Sequence, residues 1–526
     1  MAQFLIIPLL AFLYYFYRRL SHKRTGPNLP PGPKSWPIIG SITALPPKGV
    51  PEFEHWLKHK DLYGPISSVT VMGYTLIILH DLEAAQHLLE KCSAKTSARP
   101  EAGCVQKLCG FEKFMPFMQY DEACRLSRKM MNHQLGSKVL AAQYDDIQEV
   151  ETRRSLLRIL EKPEDLIQHL KTHTSAINLK MTYGYSIEVH DDPLVDMSVR
   201  MMTNMMAAFT PLAWLVDLIP ALEHLPEGLP GTGFRKTARR WGGITRQVVD
   251  TPYRFVQRQM ESHRHRPSYV SRILESGDGS GNDEHLLKES AAIIHGAVIE
   301  TSSAALTTFI SAMVMFPEAQ RRAQEEIDRL IGTDRLPRLE DRARLPYVEA
   351  LVKEVHRWSP AVPLSAPHVA EGDIVYRGYL IPKGAYIFPS VWWFLNDPGR
   401  FTDPRSFQPE RFLEPSDDNE TKPDDPIKMV FGFGRRICPG RFFADSTMFI
   451  TVAQILAAFS IGKAKDEQGQ EIEIKLESTT GPSNHPKEFP YSIVPRSARH
   501  EELVRAVETD YPWEESDAAH LVWESS

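Results

Sequence analysis

Two long apolar segments dominate the pattern of hydrophobic and polar positions along this 526-residue chain. Residues 290–316 read SAAIIHGAVIETSSAALTTFISAMVMF, with Glu300 as the only permanently charged side chain. The segment is long enough to cross a membrane. However, Glu300, His295 and a run of Ser and Thr residues fit a helix buried in protein better than one that faces lipid. We therefore predict a central core helix here.

The second apolar segment lies at the N-terminus, where residues 2–17 (AQFLIIPLLAFLYYFY) carry no charge and a basic stretch follows at residues 18–24. The segment is shorter than the roughly 20 residues usual for a spanning helix and contains Pro8, but no small-residue cleavage site follows it. We favour a retained membrane anchor with a cytosolic basic flank over a cleaved signal peptide or an interfacial segment.

Two further segments have the pattern of helices. In residues 345–355, apolar residues recur every three or four positions and form one stripe that would face the core. Pro346 fits the first turn of this helix. The stripe consists of Leu345, Val348, Leu351, Val352 and Val355. Residues 441–459 read RFFADSTMFITVAQILAAF and predict a largely apolar helix.

Composition narrows the classes of protein and partner. Hydrophobic residues make up 42% of the chain, and the net charge is −6 with acids and bases interspersed. Nucleic-acid binding would call for a basic stripe or patch, so no nucleic-acid partner is predicted. Five cysteines with no CxxC pair among them argue against a disulfide framework and a zinc site, and favour a reducing compartment.

Residues 431–440, FGFGRRICPG, place Cys438 among glycines and arginines, just before the predicted apolar helix. Glycine lets the backbone turn tightly and lets a flat cofactor approach. The positive charge of Arg435 and Arg436 and the helix N-terminus would favour the ionised sulfur. A lone cysteine in such a loop is ordinarily a buried structural residue, so the spacing around it decides the interpretation.

That spacing, F-x-x-G-x-R-x-C-x-G, closely resembles the haem-binding signature of the cytochrome P450 family. The resemblance implies that the Cys438 thiolate is the axial ligand of haem iron. It also implies that Phe431, Gly432 and Arg436 belong to the cofactor-binding loop.

On the predicted core helix, Glu300 and Thr301 resemble the acid–alcohol pair that family members hold over the opposite face of the haem, with Ala297 beside the cofactor. The hydroxyl can hydrogen-bond bound oxygen and the acid can relay protons from water. The alternative is a threonine that bonds its own helix backbone. The family pattern has glycine where this chain has Val298, and β-branched valine stiffens a helix, so the geometry for oxygen activation stays open.

Glu354 and Arg357 form an ExxR motif that places both side chains on one helix face, where they can pair. Such a pair is common on surfaces and is weak evidence alone. Residues 409–412 (PERF) follow before the cysteine loop, in the order found in the family. The resemblance implies a buried network of Glu354, Arg357 and Arg411.

Two other positions resemble the residues that neutralise the haem propionates, Arg128 and His368, with Arg436 completing the set. Relatives usually carry Trp four residues before this arginine, where the chain has Cys124, so one propionate contact would be missing. For His368, a solvated loop histidine is the alternative.

The resemblance covers roughly residues 30–496 and implies a mainly α-helical, triangular body with small β-sheets and haem b between two long helices. We divide the chain into the membrane anchor and basic flank (1–25), a haem-thiolate catalytic domain (26–496) and an acidic C-terminal extension (497–526). The extension is expected to be flexible or loosely docked, because it is rich in acidic residues.

The implied activity is that of a monooxygenase. Members of the family use O2 and electrons from NADPH, passed on by NADPH-cytochrome P450 reductase, to oxidise lipophilic small molecules. The chain is similar to fungal microsomal members that oxidise secondary metabolites, which places it at the endoplasmic reticulum membrane with a cytosolic catalytic body. Substrate contacts are expected in regions that include the Met-rich start of residues 201–229, although a Met-rich run is often simple core packing.

Two alternatives differ in chemistry. A haem-thiolate isomerase or dehydratase would need neither oxygen nor a reductase, and Val298 favours it. A non-catalytic haem-binding sensor is disfavoured by the Glu300–Thr301 pair and by the long substrate-type segments.

Overall fold

The structure, a computed structural model, describes residues 27–36, 39–209, 214–229, 231–277, 283–413 and 423–523. The predicted anchor, residues 1–25, lies outside this described part, as do residues 278–282 of the Gly-rich loop. The Pro-rich residues 29–33 lie inside it and run as extended chain beside the first sheet, where Pro31 O accepts from Ser68 N at 2.8 Å.

Helices make up most of the described chain. Those of eight residues or more are α1 (Glu52–Tyr63), α2 (Glu122–Leu135), α3 (Asp145–Glu161), α4 (Leu166–Tyr183), α5 (Pro193–Ala208), α6 (Gly233–Glu261), α7 (Glu284–Met315), α8 (Pro317–Leu330), α9 (Pro346–Trp358), α10 (Arg441–Ala458) and α11 (Ala498–Asp510). Shorter helices span Leu82–Gln86, Ser93–Thr96, Cys104–Cys109, Lys138–Ala141, Leu215–Leu218, Tyr269–Glu275, Val391–Asn396 and Ile427–Val430.

The strands form small sheets. They are β1 (Ile66–Val71), β2 (Tyr74–Leu79), β3 (His368–Val369), β4 (Ile374–Tyr376), β5 (Tyr379–Ile381), β6 (Tyr386–Pro389), β7 (Phe459–Gly462) and β8 (Ser492–Pro495). One four-stranded sheet has the order β1-β2-β6-β3, in which β2 and β6 are parallel. Two further antiparallel pairs join β4 to β5 and β7 to β8. The prediction of a mainly α-helical fold with small sheets is confirmed.

The central helix α7 packs against α2, α4, α5, α6, α9 and α10. In the described residues it is the one helix with the length and hydropathy of a membrane span, but 72% of its most apolar window is buried in protein. The prediction of a core helix is therefore confirmed. The helix begins at Glu284 rather than at residue 290, because Leu286 and Leu287 already face the core. In the sequence, the charged residues Lys288 and Glu289 separate this first turn from the apolar segment.

Helix α9 confirms the predicted stripe. Pro346 occupies its first turn, and each of the five apolar residues of the stripe is at most 1% exposed. The same hydrophobic cluster includes residues of α3, α7, α8 and α10. This cluster holds α9 against the middle and the C-terminal end of α10.

The C-terminal extension packs into the body, which corrects the expectation of a flexible or loosely docked tail. Helix α11 lies on α3 and α10, and it buries Val504 and Val507 in the hydrophobic cluster that contains α9. After the helix, the chain continues along α3 and α4, and Leu521 packs into the other large cluster.

Acidic residues of this extension account for the difference, because they meet basic residues of the body. Glu514 accepts from Lys180, lies 3.5 Å from Arg154 Nη2 and accepts from Ser186 Oγ at 2.7 Å. Asp517 accepts from Arg266 Nη1 at 2.6 Å. A count of acidic residues alone does not reveal these partners.

Candidate functional site

The cysteine loop is shaped by two glycines with positive φ. Gly432 has φ +81° and Gly434 has φ +55°, conformations that favour glycine. A Cβ on Gly434 would lie 2.1 Å from the Leu89 carbonyl oxygen, so this residue is required by space as well. Cys438 N donates to Phe431 O at 2.8 Å and closes the loop before α10 begins.

Cys438 is half-buried at the start of α10. Burial raises the pKa of the Cys438 thiol, whereas a backbone N–H at the start of α10 and the charges of Arg128 and Arg441 lower it. The favourable charge thus comes from Arg128 and Arg441 rather than from Arg435 and Arg436, which the sequence suggested. Burial has the largest effect on the pKa of the free thiol, so the ionised sulfur needs a further cation beside it. A metal ion bound to the sulfur would supply that charge.

Three buried arginines, Arg99, Arg128 and Arg436, lie beside this loop and are 7–9% exposed. Burial lowers the pKa of all three, and for Arg99 repulsion by the other two contributes to a pKa of about 9. Within the described residues none of the three forms an ion pair with a carboxylate. Buried cations without a counter-ion are costly, so the cluster is suited to an anionic group, such as the two carboxylates of haem.

The same arginines brace the surrounding loops through main-chain carbonyls: Arg128 Nη2 donates to Ile437 O (2.6 Å), Arg436 Nη2 to Met118 O (2.6 Å) and Arg99 Nη1 to Pro367 O (2.8 Å). Sequence reasoning found Arg128 and Arg436 but missed Arg99. No local motif identifies Arg99, because its acceptors lie 17 to 268 residues away.

His368 and Cys124 lie at the edge of the arginine cluster. His368 is 2% exposed, and its Nδ1 lies 2.7 Å from Thr96 O. Burial and the charge of Arg99 hold the pKa of His368 well below its usual value, so the ring is neutral and the arginines supply the positive charge. Arg436 Nη1 donates to Cys124 Sγ at 3.2 Å. Cys124, which stands where relatives usually carry a Trp that contacts a propionate, therefore accepts a hydrogen bond from Arg436 in this chain.

The middle of α7 borders an accessible space. The turns on either side are buried, whereas Ala297, Val298, Glu300 and Thr301 are partly exposed. Thr301 Oγ1 donates to Ala297 O at 2.9 Å, and the helix continues without a break across Val298. Within the described residues Glu300 and Thr301 make no hydrogen bond to the cysteine loop. They share a helix that packs against α10, at whose start that loop lies.

Glu354, Arg357 and Arg411 meet in one network. Arg357 Nε donates to Glu354 Oε2 at 2.7 Å and Nη2 to Oε1 at 2.9 Å, with both side chains fully buried. Arg411 Nε donates to Glu354 Oε1 at 3.2 Å from the turn Pro409–Phe412. Arg357 also donates to the main-chain carbonyls of Leu395, Pro404 and Ser406, so the network joins α9 to the segment before the cysteine loop.

These residues fit a haem. A thiol lies at the start of α10, and α7 packs against α10 and is partly exposed in its middle. Three buried arginines, which pair with no carboxylate of the described residues, lie beside the thiol loop. The sequence profile of the cytochrome P450 family matches residues 30–489.

Similar proteins span nearly the whole chain. The multifunctional cytochrome P450 monooxygenase af510 of Aspergillus fumigatus is 46% identical over 99% of this chain and 98% of its own length. The cytochrome P450 monooxygenase CLM2 of Gibberella zeae is 45% identical over 98% of each chain. The O-methylsterigmatocystin oxidoreductase of Aspergillus flavus is 37% identical over 97% of this chain and 96% of its own. The chain therefore belongs to the cytochrome P450 family of monooxygenases.

Proposed function

We propose that Cys438 is the axial ligand of a haem b and that the protein oxidises a lipophilic small molecule with O2. The observation that carries this proposal is the half-buried Cys438 at the start of α10, beside buried arginines that pair with no carboxylate in the described part of the chain. When bound, the haem supplies the iron at which O2 is activated with electrons from NADPH, delivered by NADPH-cytochrome P450 reductase.

The residues around the haem have separate roles. With haem bound, Phe431 and Gly432 would set the path of the loop beside the cofactor, and Arg99, Arg128 and Arg436 would neutralise its carboxylates. Ala297 would leave room beside α7. There Thr301 and Glu300 would hold and move the protons that oxygen reduction requires. His368 contributes as a neutral hydrogen-bonding group at the edge of the cluster.

The proposed substrate is a lipophilic secondary metabolite of fungal type. The A. flavus relative is named as an oxidoreductase of O-methylsterigmatocystin. In this chain Met201, Met202 and Met205 are buried, and a Cβ on Gly296 would lie 2.6 Å from Met202 Sδ. The start of the Met-rich run thus packs on α7, and residues that follow it, such as Phe209, are better placed to contact substrate. Phe209 stacks on Phe117 with ring centroids 4.2 Å apart.

We further propose that residues 1–25 hold the protein at the endoplasmic reticulum membrane with the body in the cytosol. The support is the charge-free segment 2–17 followed by its basic flank. The reductase would then act on the same side of the membrane, at the face near Cys438.

The reduced full-length protein with carbon monoxide tests the central proposal. We expect the red-shifted Soret band of thiolate-bound haem, lost in Cys438→Ser and kept in Cys92→Ser, which removes another half-buried thiol. A Cys438→Ser protein that keeps the band would contradict the assignment. NADPH oxidation in the presence of the reductase then separates a monooxygenase from a haem protein that uses no electrons.

A second candidate function is an isomerase or dehydratase that needs no oxygen. The unbroken helix at Val298 and the engaged Thr301 hydroxyl favour it, because both reduce the room and the donors available to oxygen. Substrate conversion in the absence of oxygen and reductase would support this candidate over the monooxygenase.

A further inference from the structure

His485 is the hydrogen-bond partner of Glu300. Its Nε2 lies 3.1 Å from Glu300 Oε2, although the two residues are 185 positions apart in the chain. A carboxylate can only accept, so an imidazole that carries its proton on Nε2 would donate to Glu300 in this contact. The imidazole thus joins the acid that immediately precedes Thr301 on α7.

The position of His485 is fixed by its own loop. Thr479 N donates to His485 O at 2.9 Å, and His485 N donates to Thr479 Oγ1 at 3.2 Å. The preceding Asn484 is 2% exposed and donates to Ser359 Oγ at 2.9 Å, while its main-chain N donates to Ala361 O at 2.8 Å. These contacts present the imidazole to Glu300 without help from the ion pair.

The pair itself is poorly suited to a structural role. The side chains of His485 and Glu300 keep 23% and 21% of their surface exposed, and a single contact between partly exposed groups adds little to stability. In the described part of the chain, neither residue has another ion-pair partner, and His485 Nδ1 has no protein partner. The ring is partly exposed, so it can exchange protons with water.

The state of Thr301 shows why a supply of protons is needed. Its hydroxyl proton is engaged with Ala297 O, so the oxygen of this side chain is left as an acceptor. A proton that is delivered beside Thr301 must then come from Glu300 or from water. Glu300 in turn needs a source that refills it after each transfer.

We propose that His485 is that source, a positioning and relay residue that passes protons from water to Glu300. The Nε2–H bond breaks and an O–H bond forms at Glu300 Oε2, while Nδ1 of the ring takes a proton from a hydronium ion, which becomes water. No oxidant or reductant is consumed in this step. The inference rests on the proposed function, since it assigns a role within the same oxygen-activating site.

The first test asks whether the contact exists in the haem-loaded, full-length protein. The infrared band of the Glu300 carboxyl group is identified by its loss in Glu300→Gln. We expect the band to shift in His485→Gln, which removes the imidazole but keeps an amide donor. His485→Asn provides a second variant should the first fold poorly. An unchanged band would overturn the proposal.

The second test uses hydrogen peroxide as oxidant and ABTS as electron donor, so it needs neither the natural substrate nor the reductase. Each turnover consumes one peroxide, two electrons from two ABTS molecules and two protons, and yields two water molecules. We expect His485→Gln to lower the rate about tenfold, less than the roughly 10²–10⁴-fold effect of a positioned acid or base, because water partly replaces the ring. The solvent isotope effect should rise.

His265→Gln is the matched control, since His265 forms the same kind of pair with Glu275, 2.7 Å apart, outside the site. The double variant His485→Gln/Glu300→Gln should react no slower than Glu300→Gln alone, because both residues act in one chain. Additive losses, or a His485→Gln rate equal to the parent, would overturn the relay. Absence of the thiolate-type carbon monoxide spectrum in the parent would instead refute the proposed function.

Discussion

The Glu354 carboxylate and the Arg357 guanidinium form a two-point pair whose Nε–Oε2 and Nη2–Oε1 distances are 2.7 and 2.9 Å, and neither side chain is exposed. Each group also has further partners: Gln408 N and Arg411 on the acid, and main-chain carbonyls on the guanidinium. Burial without such compensation would be unfavourable for both charges. The pair therefore acts as a junction between α9 and the chain that leads to the cysteine loop.

From this arrangement we expect Glu354→Ala to impair folding and haem incorporation. Removing one partner of a buried pair costs about 3–5 kcal/mol, a large part of a typical stability of roughly 5–15 kcal/mol. Glu318→Ala is the control, because Glu318 pairs with Arg321 at the same i,i+3 spacing on an exposed face. Haem content per folded chain and thermal unfolding check the prediction. Full haem and normal stability in Glu354→Ala would show that the network is dispensable.

We expect removal of residues 498–526 to destabilise the folded body. The deletion uncovers sites now filled by Val504, Val507 and Leu521, and burial of one such side chain contributes about 1.5–3 kcal/mol. Denaturant unfolding should show a large loss of stability, while any correctly folded fraction keeps the thiolate-type spectrum. Unchanged stability would mean that the extension is docked but not needed.

A related prediction concerns acid. Burial opposes ionisation of Glu514, but hydrogen bonds from Lys180 and Ser186 and the charge of Arg154 outweigh it and lower the pKa to about 2. A lowered acid pKa stabilises the fold above the unfolded pKa of about 4.3, and this contribution is lost as pH falls towards 2. The stability difference between the parent and Glu514→Ala should therefore shrink below pH 4. Glu515→Ala, which removes the acid of the next residue, is the control.

The arginine cluster predicts different effects with and without haem. Arg99→Gln should speed haem loss about 10-fold or more, since a hydrogen bond to a charged group contributes about 1.5–3 kcal/mol. In the haem-free protein the same change should destabilise less, because relief of repulsion among buried cations partly offsets the loss of the bonds from Arg99 to main-chain carbonyls. Arg435→Gln, on an exposed residue of the same loop, is the control. Equal destabilisation of both forms would assign Arg99 a purely structural role.

The sequence revealed the parts of the site that are local. The ten residues of the cysteine loop and the i,i+3 spacing of Glu354 and Arg357 are short-range patterns whose geometry follows from the backbone. The core stripe of α9 was likewise predictable, because helical periodicity directly reports which face is buried.

Long-range partners were not predictable in this way. Arg99 joins the cluster through carbonyls far along the chain, and His485 meets Glu300 across 185 positions. The acidic extension looked flexible because its composition is polar, yet Glu514 and Asp517 find Arg154, Lys180 and Arg266 only after the chain has folded. A single sequence carries no signal for such pairings.

The final prediction concerns α7. If Thr301 holds oxygen and its protons, Thr301→Ala should bind haem normally but, with NADPH and reductase, release more of the consumed oxygen as hydrogen peroxide. Thr308→Ala, on a buried threonine of the same helix, controls for helix packing. Val298→Gly tests the departure from the family pattern, because glycine would loosen a helix that runs unbroken at this point. Less peroxide per NADPH in Val298→Gly would mean that valine restricts oxygen activation. Unchanged peroxide release in Thr301→Ala would count against this threonine and direct attention to Glu300 and His485.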